Sequence, residues 1–391
     1  MSVRSNRIAY GLTAAVLAVL LYLFGSPVLL LALLLLGVLA VAMGVGLRHD
    51  TAHVRLECRT RGSCLAGREL ELRIFAERDR MLLAGRCVYM RILIHNAMTG
   101  AEQYKTLVLP LWGRGDSFSL KFSPANCGEL TITCEKAWLG DHLELFSLPL
   151  PGFAPVRTTV YPPNVSMEVI LDRQNEGKTR EDGPMLNRPG TDKSETYDVR
   201  DYRQGDDVRA IHWKLSVKED NLIVRIPGSP GFFDMVLLAD FGKNKSGVPT
   251  APEKRNSALA YGSAVLQQMV HKGVRCCLAL PGSDGMTLLP IESQQDYRQA
   301  MAQWMATPLP ENTGDAVRLF RSERLEGRFA RMLLLNLDGL TEERPLVGSA
   351  MAVTVLSVIP GAAGQTREVG PLRVTELPAP PDRETVYRLY C

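Results

Sequence analysis

Two uncharged apolar stretches near the N-terminus constrain this chain most. The first, Ile8 to Phe24, has 17 residues, and the second, Val28 to Leu47, has 20. A helix needs about 20 apolar residues, or about 17 at the short end, to cross the hydrocarbon core of a bilayer. Gly25, Ser26 and Pro27 separate the stretches, and Pro27 disfavours helix at Ser26. The sequence therefore predicts a transmembrane helical hairpin over residues 1–50.

The charges around the hairpin predict its orientation. Arg4 and Arg7 precede the first stretch, Arg48 and Arg55 follow the second, and the turn between them is uncharged. Because basic residues favour the cytoplasmic side, both termini and all soluble parts are expected in the cytoplasm. The alternative is a cleaved signal peptide, since Ala40-Val41-Ala42 resembles a cleavage site. The apolar region of a signal peptide has only about 7–15 residues, which disfavours this alternative.

Charge and cysteine content exclude several classes of protein. A net charge of +3 over 391 residues is too small to indicate nucleic-acid binding. The eight cysteines form no C-x-x-C pair and no Cys/His group at zinc spacing. Five of them fall between residues 51 and 165, an odd number that cannot pair completely there. We therefore expect reduced cysteines in a cytosolic environment.

Residues 51–165 carry short runs of alternating apolar and polar residues. Examples are Glu69 to Ala76 and Cys87 to His95, with turn residues such as Gly113-Arg114-Gly115 between other runs. Several short strands at such spacing predict an all-β domain, an antiparallel sandwich of the immunoglobulin-like type.

A polar linker and then a charged segment follow. Residues 166–193 are predicted to be a linker, because Asp172 to Lys193 is rich in Gly and Pro and lacks periodicity. We call residues 194–230 the hub. Their pattern predicts a strand over Glu195 to Tyr202, then a turn, a short helix ending at Lys214 or Ser216, and a second strand. Between residues 200 and 225, six basic residues stand against five acidic ones. That balance favours a salt-bridged structural corner over a phosphate-binding patch.

Residues 231–391 alternate between apolar strand-like runs and helical periodicity. Asp234 to Ala239 reads as a buried strand, Asn256 to Lys272 as an amphipathic helix, and Val274 to Leu280 as the next strand. Such alternation predicts an α/β domain with a doubly wound parallel sheet. Ligands of such sheets bind at the carboxyl ends of the strands.

The hub resembles the signature of the bacterial family called domain of unknown function 58. The residues that carry the resemblance lie at fixed offsets over about 35 positions, from Gly190 to Arg225. The central ones are Arg200, Tyr202, Gly205, Asp206, Asp207, Arg209, His212, Trp213 and Lys214. The resemblance implies an N-terminal transmembrane pair, a β domain and a C-terminal domain similar to von Willebrand factor type A. It also implies a location in the bacterial inner membrane.

What the resemblance implies about function is an adaptor. Family members are commonly encoded beside MoxR-type AAA+ ATPases and transglutaminase-like membrane proteins, so these are the expected partners. We expect no catalytic residues and no cofactor; the listed hub residues would brace the fold or contact a partner.

A degenerate metal site is expected at the strand ends. The von Willebrand type A fold often holds Mg²⁺ through Asp-x-Ser-x-Ser and an Asp from another loop. The corresponding residues here are Asp240, Gly242, Asn244 and Asp338. Gly242 has no side-chain oxygen and Lys243 adds positive charge. Because Mg²⁺ requires octahedral oxygen ligands, we expect no metal to bind.

Two other readings stay open at this point. His212 and Ser216 are four residues apart and could meet on a helix, so a hydrolase or ligand-binding enzyme centred on His212, with Asp206 or Asp207, is the alternative function. No oxyanion-hole signature accompanies them. A metal-dependent adhesion domain outside the cell would require the opposite membrane topology.

Overall fold

A computed structural model describes residues 3–78, 86–111, 115–171, 189–201, 211–213, 215–216, 221–228, 233–245, 248–282, 285–312, 314–337, 351–370, 372–382 and 384–390. The chain divides into two units, Met1–Tyr161 and Pro162–Cys391.

Two apolar helices begin the first unit. They are α1 (Val3–Phe24) and α2 (Pro27–Thr51), and the turn between them uses Gly25 with φ of 59°. The hydroxyl of Tyr10 donates to the carbonyl oxygen of Leu36. Both helices are long and apolar enough to cross a membrane. The predicted hairpin is therefore present, although α2 extends beyond the apolar stretch.

In the described residues of the first unit, nine strands follow the two helices. They are β1 (Val54–Thr60), β2 (Ser63–Leu65), β3 (Leu70–Arg78), β4 (Arg86–Asn96), β5 (Glu102–Leu111), β6 (Gly115–Phe122), β7 (Gly128–Asp141), β8 (Ser147–Leu150) and β9 (Val156–Tyr161). One sheet has the order β1-β3-β6 and the other the order β2-β9-β7-β4-β5, with β8 also paired to β7. All pairings are antiparallel except that of β2 with β9.

The two sheets share one hydrophobic core. Alternate residues of each strand point inward, as period-two patterning requires: Leu72 and Ile74 of β3 and Val88 and Ile92 of β4 are fully buried together. Each such side chain contributes about 1.5–3 kcal/mol to folding. The predicted β-sandwich is confirmed.

The end of α2 belongs to the sandwich. Leu47 is fully buried in its core. One turn later, the Asp50 carboxylate accepts from Arg86 Nε at 2.8 Å, and both side chains are almost completely buried. Leu47 and Asp50 thus stand before the predicted boundary between an anchor at 1–50 and a sandwich at 51–165, yet they pack with the sandwich. Hydropathy marks where apolar residues occur, but it does not reveal whether they face lipid or protein.

The second unit alternates strands and helices. Its strands are β10 (Met167–Ile170), β11 (Pro189–Asp201), β12 (Ile223–Gly228), β13 (Phe233–Ala239), β14 (Asn244–Lys245), β15 (Val248–Pro249), β16 (Cys276–Pro281), β17 (Met286–Ile291), β18 (Phe329–Asn336), β19 (Ala352–Val358), β20 (Gln365–Val369), β21 (Leu372–Leu377) and β22 (Tyr387–Tyr390). Its helices include α3 (Pro252–His271), α4 (Gln294–Ala306) and α5 (Asp315–Ser322).

A seven-stranded sheet with the order β17-β16-β13-β18-β19-β21-β20 forms the centre of this unit. The five inner strands are mutually parallel, and the edge strands β17 and β20 are antiparallel to their neighbours. The sheet is thus mixed, whereas an entirely parallel sheet was predicted. Both edge strands follow or precede a tight connection, which joins antiparallel strands without a crossover.

Helices cover both faces of this sheet. Val236 and Leu238 of β13 share a core with Phe320 of α5. On the opposite face, Gly262 of α3 lies so close to the sheet that an added Cβ would be 2.6 Å from Leu335. The doubly wound arrangement agrees with the sequence pattern.

The predicted linker over residues 166–193 is wrong at both ends. Met167–Ile170 forms β10, which pairs in parallel with the C-terminal strand β22. Met167 and Val169 are buried, and Lys272, directly after α3, donates to the Val169 carbonyl oxygen. Pro189 already belongs to β11; residues 172–188 lie outside the described residues. A four-residue strand with two buried positions is too short for sequence periodicity to reveal.

Candidate functional site

The hub begins with an antiparallel strand pair. Arg200 lies in β11 opposite Val224 of β12, and the pairing includes several register shifts. The remaining signature residues fall in two groups. His212 and Trp213 are described with their side chains. Outside the described residues lie Tyr202, Gly205, Asp206, Asp207, Arg209 and Lys214, so their bracing or partner-binding roles stay predictions.

Ser216 fixes the turn that carries His212 and Trp213. Its hydroxyl oxygen accepts from the Ile223 N–H at 2.9 Å and donates to the His212 carbonyl oxygen at 3.1 Å. Ser216 is 7% exposed. A main-chain bond from His212 N–H to the Ile223 carbonyl oxygen, at 2.8 Å, closes the same corner. One buried hydroxyl thus ties this turn to β12.

The same geometry bears on the hydrolase alternative. A serine nucleophile needs its hydroxyl hydrogen-bonded to a base. Here the Ser216 hydroxyl bonds to main-chain groups, and Nδ1 of His212 lies 3.3 Å from the Leu215 N–H, which donates to it. The described residues of the hub therefore give the alternative no support.

Trp213 points away from the corner. Trp213 is 59% exposed; bracing the fold and contacting a partner were the two roles expected of it. Ile211 on its other side is buried and bridges to Val224. Ile211 and Ser216 are thus buried at this turn, whereas Trp213 is exposed to solvent.

The carboxyl edge of the large sheet holds Asp240 directly after β13. Asp240 is 3% exposed, and its Oδ1 accepts from the N–H groups of Gly314 at 3.0 Å and Val317 at 3.4 Å. These N–H groups belong to the start of α5, where the helix dipole favours a negative charge. The carboxylate therefore stabilises the first turn of α5.

The positions of the metal motif after Asp240 are occupied by contacts with other parts of the same chain. A Cβ added to Gly242 would lie 2.5 Å from the Asn312 carbonyl carbon, so a serine cannot occupy this position without moving the main chain. Lys243 Nζ donates to Glu311 at 2.8 Å, and Asn244 lies in β14, paired with β15. The residues present do not fit Mg²⁺, which needs several convergent oxygen ligands.

Elsewhere within the described ranges, no group of three or more His, Cys, Asp or Glu side chains is placed to hold a metal ion. Asp338, the other expected ligand position, lies outside those ranges.

Comparison with protein families identifies the segment that contains both regions. The family model described as "Protein of unknown function DUF58" matches residues 198–335. The chain contains a DUF58 domain. The family resemblance seen in the signature residues is confirmed. A comparison with curated proteins gives no match.

Solved structures show only remote likeness to the DUF58 protein. A cohesin module from Clostridium perfringens is 10% identical, with 28% of this chain and 96% of that chain covered and a TM-score of 0.22. The CARDB domain of a Pyrococcus furiosus protein in complex with di-metal ions is 16% identical, with 28% and 89% covered and a TM-score of 0.20. A β-glucosidase from Listeria innocua is 8% identical, with 27% and 16% covered and a TM-score of 0.19. Likeness of this extent establishes neither a shared fold nor a shared function.

The DUF58 domain runs from β11 through β18. It therefore includes the Ser216 turn, the exposed Trp213 and the carboxyl edge at Asp240. Its limits coincide with neither unit, since both start before residue 198.

Sequence reasoning missed Arg255 in this domain. Arg255 lies in the first turn of α3 and is 5% exposed. Its Nη2 donates to the carbonyl oxygens of Thr250 at 3.2 Å and Lys243 at 3.4 Å, so it holds the loop between Asp240 and α3. An arginine beside Lys254 in a helical pattern reads as solvent-exposed, and no sequence signal indicated otherwise.

Proposed function

We propose that this DUF58 protein is a non-enzymatic, membrane-tethered adaptor or assembly protein that acts with a MoxR-type AAA+ ATPase. The observation that carries the proposal is the exposed Trp213 on a turn fixed by buried Ser216. Tryptophan is enriched among the residues that dominate protein–protein binding energy. A tryptophan 59% exposed on a rigid turn needs little ordering when a partner covers it.

The closed carboxyl edge supports a role in binding proteins. In a doubly wound sheet the small-molecule site usually lies at this edge. Here Asp240 is used by the N-terminus of α5 and Gly242 lies against Asn312. The domain is similar in our proposal to von Willebrand factor type A without its metal, and a transglutaminase-like membrane protein is a second expected partner.

The experiment is affinity capture of the full-length protein from solubilised bacterial membranes, with partners identified by mass spectrometry. We expect a MoxR-type AAA+ ATPase to be recovered, and Trp213→Ala to reduce its recovery at least about tenfold, as loss of one interface hot spot would. Val369→Ala is the matched control, because Val369 is a large apolar residue 40% exposed in the same unit.

Two results would contradict the proposal. Repeated capture without any AAA+ ATPase would contradict the proposed partner. Equal recovery of the ATPase with the Trp213 and Val369 variants would contradict the role of Trp213 as a contact residue.

The proposed location is the bacterial inner membrane, with two spans and with both termini and the soluble units in the cytoplasm. Its support is the basic residues at both outer ends of the hairpin. Labelling of Cys391 in intact cells with a membrane-impermeant maleimide tests it. No labelling is expected until the cells are permeabilised; labelling in intact cells would reverse the topology.

A further inference from the structure

The loop between β7 and β8 has a fixed conformation. The N–H of Phe146 donates to Asp141 Oδ1 at 2.7 Å, and that of Glu144 donates to the Asp141 carbonyl oxygen at 3.0 Å. Glu144 adopts a φ of 53°, a left-handed conformation that non-glycine residues rarely adopt. The hydroxyl of Tyr89 donates to the Glu144 carboxylate, and burial together with this bond raises the pKa of Tyr89, which keeps it a donor. The loop is thus held by its own side chains.

This loop contacts the polar start of α1. Asn6 Nδ2 donates to the Leu143 carbonyl oxygen at 3.1 Å, and Arg7 Nε donates to that of Leu145. The Arg7 guanidinium also lies 5.9 Å from the centre of the Phe146 ring. Asn6 and Arg7 directly precede the apolar stretch that starts at Ile8. If α1 spans the membrane, these bonds hold the loop at the depth where the hydrocarbon begins.

The helix α2 indicates the same depth. An added Cβ on Gly44 would be 3.9 Å from the Phe146 ring, and Gly46 and Leu47 are already buried by protein. The stretch available to lipid on α2 is therefore Val28 to Met43, which is 16 residues, against 17 on α1. At about 1.5 Å per residue, 17 residues span about 26 Å, less than the roughly 30 Å of a typical hydrocarbon core. Short spans draw the flanking residues into the interface.

Two side chains at this level face outward. Leu143 is 39% exposed although the neighbouring Leu145 is 4% exposed, and Arg7 is exposed on α1. We propose that Leu143 inserts into the boundary between lipid headgroups and acyl chains while Arg7 contacts lipid phosphates, so that the bilayer is the partner of this loop. The sandwich is then seated on the membrane at a fixed depth. The inference depends on the membrane anchoring proposed above.

Lipid is favoured because the loop is continuous with the hairpin. The bonds from Asn6 and Arg7 tie it to a helix whose next 17 residues are apolar and uncharged. An apolar side chain beside a basic one is the composition that binds the interface of an anionic membrane.

The test uses the full-length protein reconstituted in phospholipid vesicles that carry a nitroxide quencher near the headgroup or deep in the acyl chains. Three variants are compared with the natural protein: Leu143→Trp in the loop, Tyr104→Trp in the sandwich and Leu34→Trp in α2. Tyr104 is the matched control, because it is 44% exposed and lies on β5 opposite Leu93, away from the strand position of Tyr89.

We expect the fluorescence of Leu143→Trp to be quenched by the shallow label at least twice as strongly as that of Tyr104→Trp. Leu34→Trp should be quenched by the deep label. If the loop and control variants are quenched equally while Leu34→Trp is quenched by the deep label, the proposed insertion of the loop is overturned and the membrane anchoring is not. If Leu34→Trp is not quenched either, the membrane anchoring is overturned as well.

A second comparison tests the phosphate contact of Arg7. Quenching of Leu143→Trp is measured in vesicles with and without phosphatidylglycerol, and again with Arg7→Gln. We expect phosphatidylglycerol to increase quenching and Arg7→Gln to remove that increase. If Arg7→Gln leaves the increase unchanged, the assignment of Arg7 is overturned.

Discussion

At the residue scale, contacts with main-chain atoms explain why position 216 is a serine and position 242 a glycine. Ser216 bonds with one hydroxyl to the N–H of Ile223 and the carbonyl oxygen of His212. Gly242 leaves room for the main chain of Asn312. Both positions look like ligand-binding positions in the sequence, where serine suggests a nucleophile and glycine a defective metal motif. Their neighbours give both a structural role.

Ser216→Ala is expected to loosen the hub locally. Losing the hydroxyl leaves the buried N–H of Ile223 without its acceptor, at a cost of about 1–3 kcal/mol. Hydrogen exchange at the Ile223 amide should become about 10- to 100-fold faster, since each 1.4 kcal/mol is a factor of ten. Ser322→Ala, whose hydroxyl donates at the exposed end of α5, is the control. An unchanged rate at Ile223 would show that the hydroxyl does not hold the turn.

Gly242→Ser is expected to destabilise the DUF58 domain and not to create a magnesium site. The new Cβ would overlap Asn312, and overpacking of this kind costs about 1–3 kcal/mol. The thermal midpoint should fall by several degrees and should not recover with added Mg²⁺. Gly327→Ser is the control, because an added Cβ there meets nothing within 4 Å. A midpoint raised by Mg²⁺ would contradict the closed edge.

At the element scale, the end of α2 and the strand β16 show how burial changes the meaning of ordinary residues. Asp50 and Arg86 are a charged pair withdrawn from water, with side chains 3% and 1% exposed respectively. Cys276 and Cys277 both lie fully buried in β16. A charged residue at the end of an apolar helix suggests exposure to solvent, and two adjacent cysteines suggest reactive thiols. In this structure the charged pair and the two cysteines are all buried.

Asp50→Ala is expected to destabilise the sandwich unit by about 3–5 kcal/mol, because it leaves the Arg86 charge buried and unpaired. The double variant Asp50→Leu with Arg86→Met should be much less damaging, since replacing a buried pair with apolar residues is often neutral. Denaturant unfolding of the protein in detergent measures both. The exposed pair Arg59–Glu57 provides a control pair, worth under about 1 kcal/mol. A double variant as unstable as Asp50→Ala would contradict this account.

The cysteines of β16 predict a loss of stability at alkaline pH. Burial raises the pKa of Cys276 and of Cys277 from 9.0 to about 12. The folded state therefore disfavours the thiolates: this contribution is complete below pH 9 and is lost as pH rises toward 12. Stability of the second unit should fall across that window, and less so in Cys277→Ala. Iodoacetamide should modify the pair only on unfolding, whereas rapid modification in the folded protein would contradict their burial.

At the scale of the whole molecule, the hairpin and the sandwich are one unit, Met1–Tyr161. Leu47 of α2 and strands of both sheets share a core. This shared core joins the end of the hairpin to the sandwich. The segment that matches the DUF58 model, residues 198–335, lies wholly in the second unit.

A fragment that begins at residue 52 is therefore expected to be much less stable than one that begins at residue 43. The shorter fragment lacks the buried Leu47, whose loss alone costs about 2–5 kcal/mol, and leaves Arg86 unpaired. Soluble yield and thermal midpoint measure the difference. The longer fragment with Leu47→Ala should be intermediate. Equal midpoints for the two fragments would show that α2 is dispensable to the sandwich.

Local patterns predicted the elements well. Alternation at period two gave the strands of the sandwich, such as β3 with its inward Leu72 and Ile74, and helical spacing gave α3. The strand β17 was expected from its residues, Met286 to Ile291. The short strand β10 escaped prediction, because its pairing with the distant strand β22 stabilises it. The signature residues were found from their types and offsets, yet whether most of them brace the fold or bind a partner stays a prediction.

The amino-acid sequence by itself determined the two apolar helices, the alternation of strands and helices, and the match of residues 198–335 to the DUF58 model. These follow from side-chain polarity along the chain. Only the tertiary structure decided that Leu47 and Asp50 belong to the sandwich, that Ser216 is bound to main chain, that Asp240 stabilises α5 and that Trp213 faces solvent. Burial and hydrogen bonding depend on residues distant in sequence, which no local pattern contains.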